Sequence, residues 1–209
     1  MKTQIIPASD PSVYSKARDL LEAGQLVAFP TDTVYGVGTP IYNTQGIASL
    51  YVAKIRDASK AIPILLGDAE ELMRVADTVN DAVLQIAHHF WPGPLTLVVP
   101  RRPKLPEEIS PYSTVGVRMP NHPVALTLLR LTGPMAVTSA NQSGHPDSCS
   151  AEEVLAQLEG RIALIIDGGR APGGKPSTVV DCSGNELAIL RQGPISLEEI
   201  KAVLHPKSK

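Results

Sequence analysis

Six short polar clusters carry the side chains able to do chemistry. Thr31, Asp32, Thr33 and Tyr35 come directly after an apolar run at 26–29. Their hydroxyls can hydrogen-bond a small polar substrate, or equally make an ordinary hydroxyl-rich turn. Lys54, Arg56 and Lys60 place three cations near one helix end. That is a grip for a polyphosphate, or else plain complementation of the helix dipole by solvated charge. Thr138-Ser139-Ala140-Asn141 follows another apolar run and can donate to phosphate or ribose oxygens, with a capped loop as the alternative. Arg118 closes the apolar run 115–117, where a buried guanidinium needs an anion partner or an exit to water. Ser177-Thr178-Val179-Val180-Asp181 and Leu190-Arg191-Gln192-Gly193 complete the set, Arg191 again closing an apolar strand. Ligand sites of open α/β sheets lie at the carboxyl ends of strands, which is where most of these clusters stand.

Other patterns fall short. Gly169-Arg-Ala-Pro-Gly-Gly-Lys175 has phosphate-loop spacing, but Pro176 replaces the Ser or Thr that would hold magnesium and open a helix. Gly36-Val-Gly38 lacks the third glycine of a dinucleotide fingerprint. No GxSxG elbow is present. Cys149 and Cys182 are far apart with no ligand-spaced partners and read as free thiols. His88 and His89 end an apolar helix and read as structural or surface residues.

These clusters need a scaffold, and the periodicity supplies one. Helices are expected with Val13, Ala17, Leu20 and Leu21 on one face after a cap at Ser9 or Asp10, through Ile47, Leu50 and Tyr51 to near Arg56, and, a short one, at Leu72, Val75 and Ala76. Others are expected at Val83, Ile86 and Phe90, and from Pro123 to near Leu131. Ser150 with Glu153, and Ser196 with Glu199, are capping boxes for two more. Strands are expected at 26–29, 62–66, 95–99, 115–118, 135–138, 162–167, 178–181 and 187–190. Interleaved strands and helices, with late strands adjacent, make an α/β protein with a twisted, mixed sheet containing antiparallel pairs and flanking helices. The 209 residues are expected to form one domain, 1–209.

Composition narrows the function. Nineteen Lys+Arg against 21 Asp+Glu give a net charge of −2, which argues against coating nucleic acid through bulk charge. Aromatic residues make up only 4%, few platforms for stacked bases. No apolar run is long enough to span a membrane, and the N-terminus lacks a signal-peptide layout, so a cytoplasmic protein without membrane association is expected. The 19 Pro and 16 Gly are spread along the chain, as expected of many short elements joined by shaped turns.

Together the clusters resemble the YrdC/TsaC family of threonylcarbamoyl-AMP synthases, in its short, single-domain form. The matching segments are Phe-Pro-Thr-Asp-Thr-Val-Tyr-Gly (29–36), Lys-x-Arg (54–56), Trp-Pro-Gly-Pro-Leu-Thr (91–96) and Val-Gly-Val-Arg-Met-Pro (115–120). Thr-Ser-Ala-Asn-x-Ser-Gly (138–144), Ser-Thr-Val-Val-Asp (177–181) and Leu-Arg-x-Gly (190–193) follow in family order. The resemblance implies a sheet around a deep concave cavity. It implies a nucleotidyltransferase that condenses L-threonine, bicarbonate or CO2, and ATP with Mg2+ into threonylcarbamoyl-AMP and pyrophosphate. That product would pass to downstream tRNA threonylcarbamoyl-transfer proteins.

Carried over by position, Lys54 and Arg56 are the implied catalytic residues. Arg56, Lys60, Thr114, Asn141, Cys149 and Arg191 are implied to contact ATP, and Thr33, Arg118, Ser139 and Ser177 to hold threonine. No side chain is assigned to a metal. Asp57, Ala61, Leu65 and Cys149 depart from the common pattern, Leu65 standing where some longer members have a threonine-binding histidine. Two alternatives stay open: a paralogue acting on another carbamoyl- or carboxy-adenylate substrate, and a module that binds tRNA or other RNA.

Overall fold

The computed structural model describes residues 2–184 and 186–204. Its strands are β1 (Gln4–Pro7), β2 (Val27–Phe29), β3 (Gly36–Pro40), β4 (Ile64–Leu65), β5 (Leu95–Pro100), β6 (Thr114–Arg118), β7 (Met135–Ser139), β8 (Leu164–Asp167), β9 (Thr178–Asp181) and β10 (Ala188–Arg191). The helices are α1 (Val13–Glu22), α2 (Thr44–Lys54), α3 (Leu72–Val75), α4 (Asp81–Phe90), α5 (Pro123–Thr132), α6 (Ala151–Leu158) and α7 (Leu197–Leu204). The ten strands form one mixed sheet in the order β1-β8-β2-β3-β7-β4-β6-β5-β9-β10.

Local chemistry explains most boundaries. In α1, Val13, Ala17 and Leu21 are buried at helical spacing, and Gly24 at φ +76° ends the turn beyond it. The expected cap is displaced: Asp10 accepts from the Ser12 amide and hydroxyl, and the helix begins after Ser12. The Ser196–Glu199 capping box is complete in both directions. The other box is half made, because Glu153 reaches past Ser150 to the Cys149 amide at 2.6 Å.

Two strands go beyond the sequence expectation. β1 is an edge strand, mostly exposed, paired in parallel with β8, so it carries no apolar pattern to read. β3 contains Gly36, Gly38 and Pro40, poor strand formers in isolation. It forms because β2 and β7 pair with it on both sides and bury it.

Helices cover the two faces of the sheet unequally. On one face α2, α4, α6 and α7 bury Ile47, Leu50, Ile86, Val154 and Ile200 against Ile64, Leu97, Val117 and Ala136. On the other face α1 and α5 pack on Val27, Phe29, Met135, Val137, Leu164 and Ile166, toward the β8–β2 side. The rest of that second face stays open. Period-two alternation brings Leu65, Thr96, Val98, Gly116, Arg118 and Val179 to it, where they line a cavity of ≈ 370 Å³.

Gly38 of β3 is where backbone meets backbone against β7. A Cβ there would sit 2.6 Å from the Ala136 carbonyl and 2.7 Å from a Val137 methyl. Gly38→Ala is therefore expected to destabilise the protein by about 1–3 kcal/mol, read as a lower midpoint in urea at unchanged slope.

Candidate functional site

The cavity is assembled from turns at the strand ends. After β2, Thr31 Oγ1 donates to the Val34 carbonyl (2.7 Å) and accepts from the Thr33 amide (3.1 Å). Its single proton is thus used, so the 2.9 Å contact between the two hydroxyls has Thr33 as donor. Thr33 Oγ1 also accepts from Arg118 Nη1 at 3.0 Å, which leaves it only an acceptor lone pair toward the cavity. Tyr35 donates to the Gly169 carbonyl at 2.7 Å, and burial pushes its phenol up to about 12. That bond and the Gly174 amide on the Thr33 carbonyl tie the glycine-rich loop to the turn. A strand, β9, follows that loop, not a phosphate-binding helix.

At the end of α2 the paired cations part company. Ile55 adopts left-handed φ 52°, ψ 47°, rare for a β-branched residue, and the Arg56 amide reaches back to the Tyr51 carbonyl at 2.9 Å. This reversal sends Lys54 inward and Arg56 to the cavity. Lys54 is buried, and its ammonium donates to the carbonyls of Ser139 and Asn141 and, at 3.3 Å, to Asn141 Oδ1. Burial pushes it down to about 8, helped by nearby Arg56 and opposed by Asp147. Arg56 lines the cavity and donates to the carbonyls of Ala61 (2.8 Å) and Lys60 (3.3 Å), with burial lowering its pKa.

The turn after β7 is rigid. Ser139 Oγ donates to Asn141 Oδ1 at 2.5 Å, and Asn141 Nδ2 donates to the carbonyls of His145 (2.6 Å) and Gln142 (3.1 Å). On β6, Arg118 is buried. It donates from Nε to the Gly93 carbonyl at 3.0 Å, from Nη1 to Thr33, and from Nη2 to Asp32 in an ion pair. Burial lowers its pKa and Asp32 opposes this. The anion partner that a buried strand-end arginine requires is thus Asp32. Ser177 Oγ contacts Thr96 Oγ1 at 2.8 Å and accepts from Arg191 Nη2 at 3.1 Å, while Arg191 Nε holds the Ser177 carbonyl.

The cavity wall therefore unites Thr33, Arg56, Arg118, Ser139, Ser177 and Arg191 of the expected site. The remaining expected residues stand off it. Lys54 and Asn141 lie behind the Ser139 turn, fully engaged with protein oxygens and each other. Lys60 is exposed and contributes its carbonyl to Arg56. Thr114 begins β6 while Arg118 ends it, roughly 13 Å apart at strand rise. Cys149 is buried at the start of α6, where burial raises its thiol pKa. Thr31 and Thr138, named above within their clusters but given no role, also line the cavity, as do Thr96 and Asp147, which were not singled out. The three threonines sit inside the motifs quoted above; Asp147 carried no signal.

A family model for the Sua5/YciO/YrdC domain, described as telomere recombination, matches residues 19–193. A relative from Mycobacterium tuberculosis is 39% identical over 207 residues, covering 97% of this chain and 95% of its own. A threonylcarbamoyl-AMP synthase from Bacillus subtilis is also 39% identical over 207 residues, and the chain spans 60% of its length. The crystal structure of Pyrococcus abyssi Sua5 complexed with L-threonine superposes with a TM-score of 0.90, at 37% identity, over 98% of this chain and 60% of that one.

The different settings of the two cations predict different variants. Lys54→Met leaves three oxygens without their donor and is expected to cost about 3 kcal/mol, at roughly 1 kcal/mol each. Arg56→Met, at the half-buried cavity edge, is expected to cost about 1 kcal/mol or less. Paired urea titrations check the difference.

Proposed function

The chain belongs to the Sua5/YciO/YrdC family, and from that premise we propose that it is a threonylcarbamoyl-AMP synthase. It would condense L-threonine, bicarbonate and ATP into threonylcarbamoyl-AMP and pyrophosphate. The observation that carries the reading is the likeness, across nearly the whole chain, to a Sua5 structure solved with L-threonine. The cavity has the chemistry this needs: three guanidiniums for anions, hydroxyls for a small polar substrate, and no demand for a protein nucleophile.

In this reading Arg118 takes the threonine carboxylate, and Thr33, Ser139 and Ser177 orient its polar groups. Thr33, restricted to accepting, suits a donor such as the amine or hydroxyl of threonine. Arg56 and Arg191 take the phosphates. Lys60 and Thr114 are candidates for the outer part of the nucleotide, since the segments just before them meet where Tyr112 donates to the Ser59 carbonyl. Lys54 and Asn141 act from behind by holding the Ser139 turn. Cys149 lies buried beside that turn, and any nucleotide contact it makes would be through its surroundings.

ATP would enter as its magnesium complex. Asp147 is the carboxylate among the lining residues, and among the described residues no group of three acidic, histidine or cysteine side chains forms a metal site, which fits an ion that arrives with the phosphates. The amine of threonine attacks bicarbonate, losing water to give a carbamate. A carbamate oxygen then attacks the α-phosphorus in line, and pyrophosphate leaves with the electron pair of the broken P–O bond. The protein contributes proximity and fixed positive charge where negative charge moves. Acyl transfer to tRNA would consume the product.

Incubation with labelled bicarbonate, ATP, and threonine or serine tests this. Threonine-dependent label incorporation with matching pyrophosphate release is expected, with Arg56→Ala and Arg191→Ala each lowering kcat/KM by about 100-fold. Incorporation that ignores threonine, or an unaffected Arg56→Ala, would refute the assignment.

A further inference from the structure

Three guanidiniums share one cavity, yet only one is neutralised. Arg118 is paired with Asp32, and both side chains are nearly enclosed, at 7% and 12% exposure. Arg56 donates only to the Lys60 and Ala61 carbonyls, and Arg191 only to the carbonyl and hydroxyl of Ser177. Among the described residues neither makes an ion pair; Asp147 faces Arg191 without reaching it. Positive charge is therefore uneven: Arg118 is compensated by a carboxylate in direct contact, while Arg56 and Arg191 are held by neutral groups, with Asp147 near Arg191 but not bonded to it.

Arg118 nonetheless remains a hydrogen-bond donor. A guanidinium has five N–H groups, and three are used here, one each on Nε, Nη1 and Nη2. One N–H is left on each terminal nitrogen, so Arg118 keeps donors for a carboxylate. A triphosphate follows net charge and gains most from uncompensated cations. An amino-acid carboxylate, with a single charge, gains from paired donors of fixed direction.

We infer that Asp32 is a specificity-determining residue: by cancelling the charge of Arg118 while holding its direction, it keeps polyphosphate away and reserves Arg118 for the carboxylate of the amino-acid substrate. The inference rests on the reading that Arg118 is the carboxylate seat. Asp32 lies behind Arg118 and acts through it, as a positioning residue.

The test is threonine binding by calorimetry, with and without inorganic tripolyphosphate, in the full chain. In the wild type the tripolyphosphate is expected to bind the uncompensated Arg56 and Arg191, and the threonine Kd to change less than about twofold. Asp32→Asn keeps an oxygen for Nη2 but removes the charge, so tripolyphosphate should invade and raise the apparent threonine Kd about tenfold. Asp32→Glu should restore the wild-type ratio. The readout is a ratio within each variant, which a merely less stable protein does not change. An unchanged ratio in Asp32→Asn overturns the inference and leaves the carboxylate seat standing. Threonine binding that survives Arg118→Gln overturns the seat and the inference with it.

Discussion

One buried ammonium joins the two halves of this site. Lys54 closes α2, and its Nζ is surrounded by oxygens of Ser139 and Asn141, residues at the end of β7. An ammonium out of water is costly unless its protons are all directed at acceptors. Here they are, and satisfying them locks the helix end to the strand end. The Ser139 hydroxyl is then aimed by Asn141, and Asn141 by the His145 carbonyl. Loosening Lys54 would leave each later link without its reference point.

The sheet explains why such a lock is needed. A cavity floor made of β-strands has side chains on alternate positions only, and at Gly36 and Gly116 there is none. Cationic side chains must therefore come from strand ends and loops, where nothing in the ladder holds them. The structure holds them with carbonyls: Gly93 for Arg118, Lys60 and Ala61 for Arg56, Ser177 for Arg191. Carbonyl acceptors orient a guanidinium without cancelling its charge. A carboxylate does both, and among the described residues Arg118 is the one of these three arginines that pairs with one.

Much of this was legible beforehand. Capping pairs, apolar runs and Pro or Gly breaks locate nearly every helix and eight of the ten strands. The clusters at strand ends locate the cavity. That Arg118 needs an anion partner or an exit to water was plain from its place after an apolar strand, and the structure supplies the partner, Asp32. The failures are also physical. β3 was hidden because its glycines are chosen for closeness to Val137 and the Ala136 carbonyl, not for strand propensity. β1 was hidden because an exposed edge strand needs no buried face.

By itself the sequence determined which elements form and which polar residues gather where they end, because periodicity and capping are local and act within a few residues. The tertiary structure alone decided which of those residues face the cavity. Lys54 and Arg56 are two positions apart in every reading of the chain, yet one is sealed behind the wall and the other stands in it. That division comes from the left-handed turn at Ile55, a conformation no local preference would assign to isoleucine. It is stabilised by oxygens 85 and 87 residues away along the chain, brought near only when α2 packs on β3, the strand paired with β7. Likewise, the charge that Arg118 presents depends on Asp32, 86 residues distant. Charge and direction in this site are properties of long-range contacts, and those exist only in the folded protein.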